Sequence, residues 1–173
     1  HEFFVRKLRQ WGIELRDQSL NQEKARIGSL DGSLATVDLK TASDTCAVNS
    51  VALLFPDDWF MTLMAFRSSS FRIESEHLPS SKGTYAKISS MGNGFTFSVE
   101  TLIFTAACRA IGSKRYQVYG DDIVVESTLV PHLERLLRFL GFRFNVDKTF
   151  ADPNGRFRES CGCDWYNGVL VTP

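Results

Sequence analysis

The stretch that decides the fold is V118-Y-G-D-D-I-V-V-E126. Two apolar runs that each read as strand flank a Gly and two adjacent Asp, the composition of a hairpin tip. One Asp and one Gly would suffice for the turn, and neighbouring negative charges repel. A second carboxylate at the tip therefore asks for a reason other than turn chemistry. An equivalent residue stands upstream. L34-A-T-V-D-L39 is a short apolar strand entered from the turn-forming pair Asp31-Gly32, and Asp38 sits at its C-terminal end.

If these strands are neighbours, Asp38, Asp121 and Asp122 converge at one sheet edge. Two unit charges about 4 Å apart repel by roughly 4 kcal/mol at an effective dielectric near 20. A divalent cation reverses the sign. Oxygen donors without His or Cys select a hard ion, Mg²⁺ or Mn²⁺, and two such ions serve phosphoryl or nucleotidyl transfer. The bland alternative is a turn that uses Gly-Asp-Asp for its dihedral tolerance, with Asp38 as an ordinary strand end.

Around this hairpin the chain alternates helix and strand. Residues 1–29 read as helix and connection. S43-D-T-C-A-V-N-S-V-A-L-L-F55 has helical apolar spacing with Ser43 or Asp44 as cap, and Pro56 opens another helix through Phe66. Residues 71–75 read as strand and 77–85 as loop. S89-S-M-G-N-G-F-T-F-S-V-E100 is a Gly-rich turn leading into a long helix that is apolar nearly all round and so belongs in the interior. Glu100 inside it needs a partner if it stays charged. Residues 129–141 form an amphipathic helix with Leu133, Leu136, Leu137 and Leu140 on one face, Pro131 in the first turn and Gly141 past the end. F142-R-F-N-V146 and the final segment, with Asn167-Gly168 at a tight turn, supply further strands. The whole is an α+β chain, a small antiparallel sheet backed by helices.

The 173 residues are 43% hydrophobic and 23% charged with a formal net charge of zero. That is one domain, or one domain with a short appendage, large enough for a real core, and it excludes a bulk basic nucleic-acid binder. The local exception is Arg135, Arg138, Arg143, Lys148, Arg156 and Arg158 against Asp147 and Asp152, which suits phosphate contact or a solvated helix face. No apolar run reaches the roughly 18 residues of a membrane span. The four cysteines form no C-x-x-C pair, and reduced thiols are the expected state. The chain opens mid-helix without an initiator Met, as a piece of a longer protein would.

The ordered set T36-V-D-L-K-T-A-S-D44, residues 89–100, V118-Y-G-D-D122, N145-V-D-K-T149 and F157-R-E-S-C-G162 resembles the palm of viral RNA-dependent RNA polymerases. It looks most like the replicase catalytic subunit of single-stranded RNA bacteriophages. The resemblance covers nearly the whole chain, and five ordered motifs are far more specific than Gly-Asp-Asp alone.

It implies a palm with an RRM/ferredoxin-like core. Residues 1–30 would lead in from the fingers, 31–160 would carry motifs A to D, and 157–173 would form the motif E hairpin towards a thumb. It implies catalytic roles for Asp38, Asp121, Asp122 and Lys148, the three Asp holding two Mg²⁺ ions, with Mn²⁺ as a substitute. Asp44, Ser90, Gly92 and Asn93 would bind the incoming nucleotide. For Asp44 the alternative is a helix N-cap, for Asn93 a hairpin Asn-Gly turn, for Lys148 a surface lysine. Arg158 and Glu159 would border the growing strand's end, or else form a surface ion pair.

The implied partners are RNA template and nascent RNA, ribonucleoside triphosphates and host translation factors as subunits, in the cytoplasm of the infected bacterium. The basic segment gripping the triphosphate would precede residue 1 and the thumb would follow residue 173. A reverse-transcriptase-like palm, a metal nuclease and a non-catalytic RNA-binding relic are the rival readings.

Overall fold

The computed structural model describes residues 2–77 and 79–172. His1, Pro173 and Leu78, the last within the expected 77–85 loop, lie outside them. The chain runs α1 (Glu2–Gln10), α2 (Ser19–Asp31), β1 (Leu34–Val37), α3 (Ala42–Thr45), α4 (Val48–Leu54), α5 (Asp57–Phe66), β2 (Ser70–Ile73), β3 (Ser81–Thr84) and α6 (Thr96–Ala110). Then come β4 (Gln117–Tyr119), β5 (Asp122–Glu126), α7 (Val130–Phe139), β6 (Phe157–Ser160), β7 (Cys163–Tyr166) and β8 (Val169–Leu170), with 3₁₀ turns at Ser127–Leu129 and Val146–Lys148. The α+β expectation holds.

The central sheet has the order β1-β5-β4, all antiparallel. Every residue of β1 is buried, as are Ile123, Val124 and Val125 of β5, so both faces of this sheet are covered and the strands read as apolar runs rather than alternations. One face carries Ala35, Val37, Ile123 and Val125 into the main core with Phe104 of α6 and Leu133 and Leu137 of α7. Helix α2 lies against β1, and Gly28 is the residue that lets it come so close. A Cβ there would collide with the Leu34 carbonyl.

The long helix from residue 96 is interior as expected, with ten of its side chains buried. Pro131 and Gly141 stand at the ends of α7 as expected, Gly141 with φ +96°. Three expectations are corrected. The helix across 43–55 is broken at Cys46–Ala47, where Val48 N–H donates to Ala86 O and Ile88 N–H to Cys46 O. That cross-link to residues 86–88 takes the backbone out of helix, so Asp44 lies inside the short α3 and caps nothing.

Residues 142–146 form no strand. Phe142 plugs the core against Phe104 at 4.8 Å between ring centroids, and Phe144 makes only an isolated bridge to Leu39. Within the expected loop, Ser81–Thr84 pairs with β2 as a small exposed hairpin.

The final segment forms the three-stranded sheet β6-β7-β8. Asn167 (φ +48°) and Gly168 (φ +77°) make the two-residue turn between β7 and β8 expected of Asn-Gly. Cys161 (φ +50°) and Gly162 (φ +71°) make the same kind of turn between β6 and β7, with Cys163 the first residue of β7. All four cysteines are free.

Candidate active site

The ladder between β1 and β5 pairs Leu34 with Glu126 and Val37 with Ile123. Continuing that register by one residue sets Asp38 opposite Asp122, where directly opposed Cα atoms of an antiparallel pair are about 5 Å apart. Tyr119 pairs with Asp122 across the β4–β5 hairpin, leaving Gly120-Asp121 as a two-residue tip. Gly120 has φ +61°, and a Cβ on it would strike the Phe97 ring. Its N–H donates to Thr101 Oγ1 at 3.0 Å, and Tyr119 packs edge-on against Phe97 at 5.0 Å. Helix α6 thus supports the acidic tip from below, and Tyr119 is part of that support.

The three Asp side chains are held differently. Asp38 Oδ2 accepts a hydrogen bond from Asn145 Nδ2 at 2.8 Å. Asp121, at the tip, has its carboxyl pushed above the usual range, first by burial and then by the negative charge of Asp38; a backbone hydrogen bond and Lys148 oppose the shift. Asp122 turns towards β6, where its Oδ1 accepts from Cys161 N–H at 3.3 Å and Ser160 Oγ–H at 3.4 Å. Burial pushes Asp122 up to about 6, against the Cys161 N–H, with Asp121, Glu159 and Asp38 adding to the rise. Adjacent strand residues point to opposite sides, and Asp122 obeys that rule. Accordingly, among the described residues no group of three or more His, Cys, Asp or Glu side chains is arranged to hold a metal ion. The negative charge of Asp38 reaches both Asp121 and Asp122, while the Asp122 carboxylate is engaged beside β6.

Lys148 follows in the 3₁₀ turn beside Asp38 and is exposed; its charge acts on both Asp121 and Glu159. Burial first, and then Asp164 and Asp38, raise the Glu159 carboxyl against the pull of Lys148. Arg158 is not the surface residue expected of an ion pair with Glu159. It is 1% exposed and donates to the carbonyls of Leu34, Asp152, Gly155 and Phe157. The guanidinium is a clamp between β6 and β1, withdrawn from any phosphate.

Asp44 pairs with Lys87, 43 residues away, in an ion pair that no local spacing signals. The loop before α6 holds Ser90, Gly92 and Asn93. Ser90 O accepts from Thr96 Oγ1 and from Asn93 N–H. Asn93 spends both ends of its amide within the protein, Nδ2 donating to Phe66 O at 3.3 Å and Oδ1 accepting from Phe95 N–H at 3.4 Å. It is a pre-helix turn and not a hairpin. Gly92 (φ +88°) and Gly94 have open space where a Cβ would lie, so the backbone of this loop is approachable from solvent.

Glu100 lies between the two groups. It is 6% exposed, its Oε1 has no hydrogen-bond partner, and burial followed by the charges of Asp121 and Asp44 pushes it up to about 7. In place of a partner for its charge, burial raises the affinity of Glu100 for a proton. The sign of the consequence is fixed. A carboxyl whose folded pKa lies above its free value stabilises the fold below about 4.5, and that stabilisation is lost as pH rises through about 7. Glu100→Gln is therefore expected to flatten the fall in stability between pH 5 and 8, leaving the variant more stable at pH 8 by about 2 kcal/mol. Denaturant midpoints in chelator at the two pH values check this; parallel profiles would refute it.

The model of the family described as RNA replicase, beta-chain, matches residues 2–173. The chain belongs to that family. It is 46% identical over 173 residues to the RNA-directed RNA polymerase subunit beta of Escherichia virus Qbeta, covering 96% of this chain and 28% of that protein. To the same subunit of Enterobacteria phage SP it is 45% identical, covering 96% and 29%. To the RNA-directed RNA polymerase beta chain of Escherichia phage MS2 it is 40% identical, covering 99% and 31%. The chain spans about three-tenths of the length of these curated relatives. Among the described residues no helix is long and apolar enough to cross a membrane.

Proposed function

We propose that the chain is the palm of an RNA-directed RNA polymerase, extending RNA by template-directed nucleotidyl transfer in viral genome replication. The observation that carries this reading is the β1–β5 ladder, which delivers Asp38 and the Gly120-Asp121-Asp122 tip to one end of one sheet in a member of the RNA replicase beta-chain family. Residues 1–30 would lead into the palm of 31–160, and 157–173 would face the thumb.

The donors fit a hard cation in kind. Asp38 and Asp121 are oxygen ligands whose mutual repulsion an ion would relieve, and Asp122 would join them by leaving Cys161 N–H or act through it. Two Mg²⁺ ions, or Mn²⁺, bound there would supply Lewis acidity and charge neutralisation. In the reaction the 3′-hydroxyl oxygen of the nascent strand bonds to the α-phosphorus, the hydroxyl loses its proton, and the bond to pyrophosphate breaks. The chain's own contributions are the fixed position of Asp38 and Asp121, a positive charge at Lys148 for proton donation or contact with the leaving pyrophosphate, and the open backbone of Gly92 and Gly94 for the incoming nucleotide. Asp44, Ser90 and Asn93 would border the ribose. Asp44 must be shared with Lys87, and Asn93 must exchange an internal hydrogen bond for a ribose hydroxyl.

RNA template, nascent RNA and ribonucleoside triphosphates are then the substrates. Host translation factors would complete the enzyme in the cytoplasm of the infected bacterium. The test is primer extension on an RNA template by the full-length subunit with ribo- or deoxyribonucleoside triphosphates. Ribonucleotide addition dependent on Mg²⁺ is the expected result. Preference for deoxyribonucleotides, cleavage of the primer, or indifference to Mg²⁺ would each overturn it. The isolated 173-residue segment, neutral overall, is expected to give no templated product in the same assay.

A further inference from the structure

Asn145 makes three hydrogen bonds that meet at the candidate site. Its backbone N–H donates to Asp38 O at 2.9 Å, and its side-chain Nδ2 donates to Asp38 Oδ2 at 2.8 Å. Its carbonyl accepts from Lys148 N–H at 3.1 Å, closing the 3₁₀ turn that carries Lys148. Asn145 and Asp38 are 107 residues apart in sequence, and their segments are joined further by the Leu39–Phe144 bridge and by Lys40 N–H on Arg143 O.

We propose that Asn145 is a positioning residue for the reaction, holding the Asp38 carboxylate in one rotamer and setting Lys148 at a fixed distance from it. This rests on the polymerase reading of Asp38. The main-chain bond fixes where Asp38 stands, and the amide fixes how its carboxylate is turned. The amide engages Oδ2, and Oδ1 would be the oxygen left for a cation. Outer partners of ligating carboxylates act in this way, and removing one typically costs about 10–100-fold in metal affinity or activity. A donor is required: a carboxylate of the same size at position 145 would face Asp38 with a like charge.

The test uses the full-length subunit with Asn145→Ala, Asn145→Asp and Asp38→Asn. Mn²⁺ affinity is read by electron paramagnetic resonance without substrate, and kcat and KM are read by primer extension. Asn145→Ala is expected to weaken Mn²⁺ binding about 10–100-fold and to lower kcat in step, with KM for the nucleotide within about threefold. Asn145→Asp, which keeps the volume and the turn but not the donor, is expected to be at least as impaired. Mn²⁺ affinity and kcat within about twofold of the unaltered protein would overturn the proposal while Asp38→Asn remains inactive. Loss of fold in both Asn145 variants would also overturn it, since the bonds would then be purely architectural. An active Asp38→Asn protein would remove the polymerase reading itself, and this inference with it.

Discussion

Asp121→Asn in the full-length subunit is expected to lower the rate of nucleotide addition by about 10³-fold or more, which is about 4 kcal/mol of transition-state stabilisation, while leaving the fold as stable or more so. The two halves of that expectation come from one fact. The Asp121 carboxyl is held above its ordinary range by burial and by Asp38, so its charge is a liability to the folded chain. Asn keeps the volume and removes the repulsion. It also removes the anionic oxygen that would hold a hard cation opposite Asp38. An isosteric change that stabilises a protein and silences it is the signature of a functional charge. Single-turnover extension and denaturant unfolding of the same preparation measure both effects. Turnover within tenfold of the unaltered protein would contradict the assignment of Asp121.

Arg158→Met should act in the opposite sense, on the fold first. The Arg158 guanidinium is enclosed and spends its donors on four main-chain carbonyls, Nε on Leu34 at 2.7 Å and Nη2 on Asp152 at 2.9 Å among them. Burial lowers its pKa, yet a guanidinium keeps its charge under any physiological condition. Methionine matches much of the volume but takes the guanidinium donor from each of these carbonyls; Asp152 O keeps Gly155 N–H, and a buried carbonyl left with no donor costs about 1–3 kcal/mol. The summed loss is expected to be on the order of 4 kcal/mol, a large part of a domain's stability. Lysine should rescue little, because one ammonium cannot span carbonyls on β1 and on the 152–157 turn together. Thermal unfolding of the three proteins checks the order, and a shift of less than a few degrees for Met would refute the clamp.

What the sequence disclosed follows from local chemistry. The hairpin at 117–126 was legible because Gly-Asp between two apolar runs admits few other structures, and α7 was legible through Pro131, Gly141 and its leucine face. The small hairpin of β2 and β3 was illegible, since Ser81-Lys82-Gly83-Thr84 is largely exposed and carries no alternation. F142-R-F-N-V146 has alternation and still makes no strand, because Phe142 is wanted by Phe104 and Asn145 by Asp38. The acidic end was foreseeable as a set of residues. Its support was not: Lys87, Asn145 and Arg158 reach their partners across 43, 107 and up to 124 residues, distances over which spacing carries no message.

The register of β1 against β5 has a consequence for how the protein emerges from the ribosome. Strand β1 is translated about ninety residues before the strand that pairs with it, and Arg158, which anchors it from the other side, comes some thirty residues later still. Contacts so far apart close late and slowly. A nascent chain halted before Phe157 would carry its two acidic motifs without the clamp and without the Cys161 N–H that receives Asp122. The acidic end is thus completed by strands made well after it, and a chain halted before them is expected to be a chaperone client.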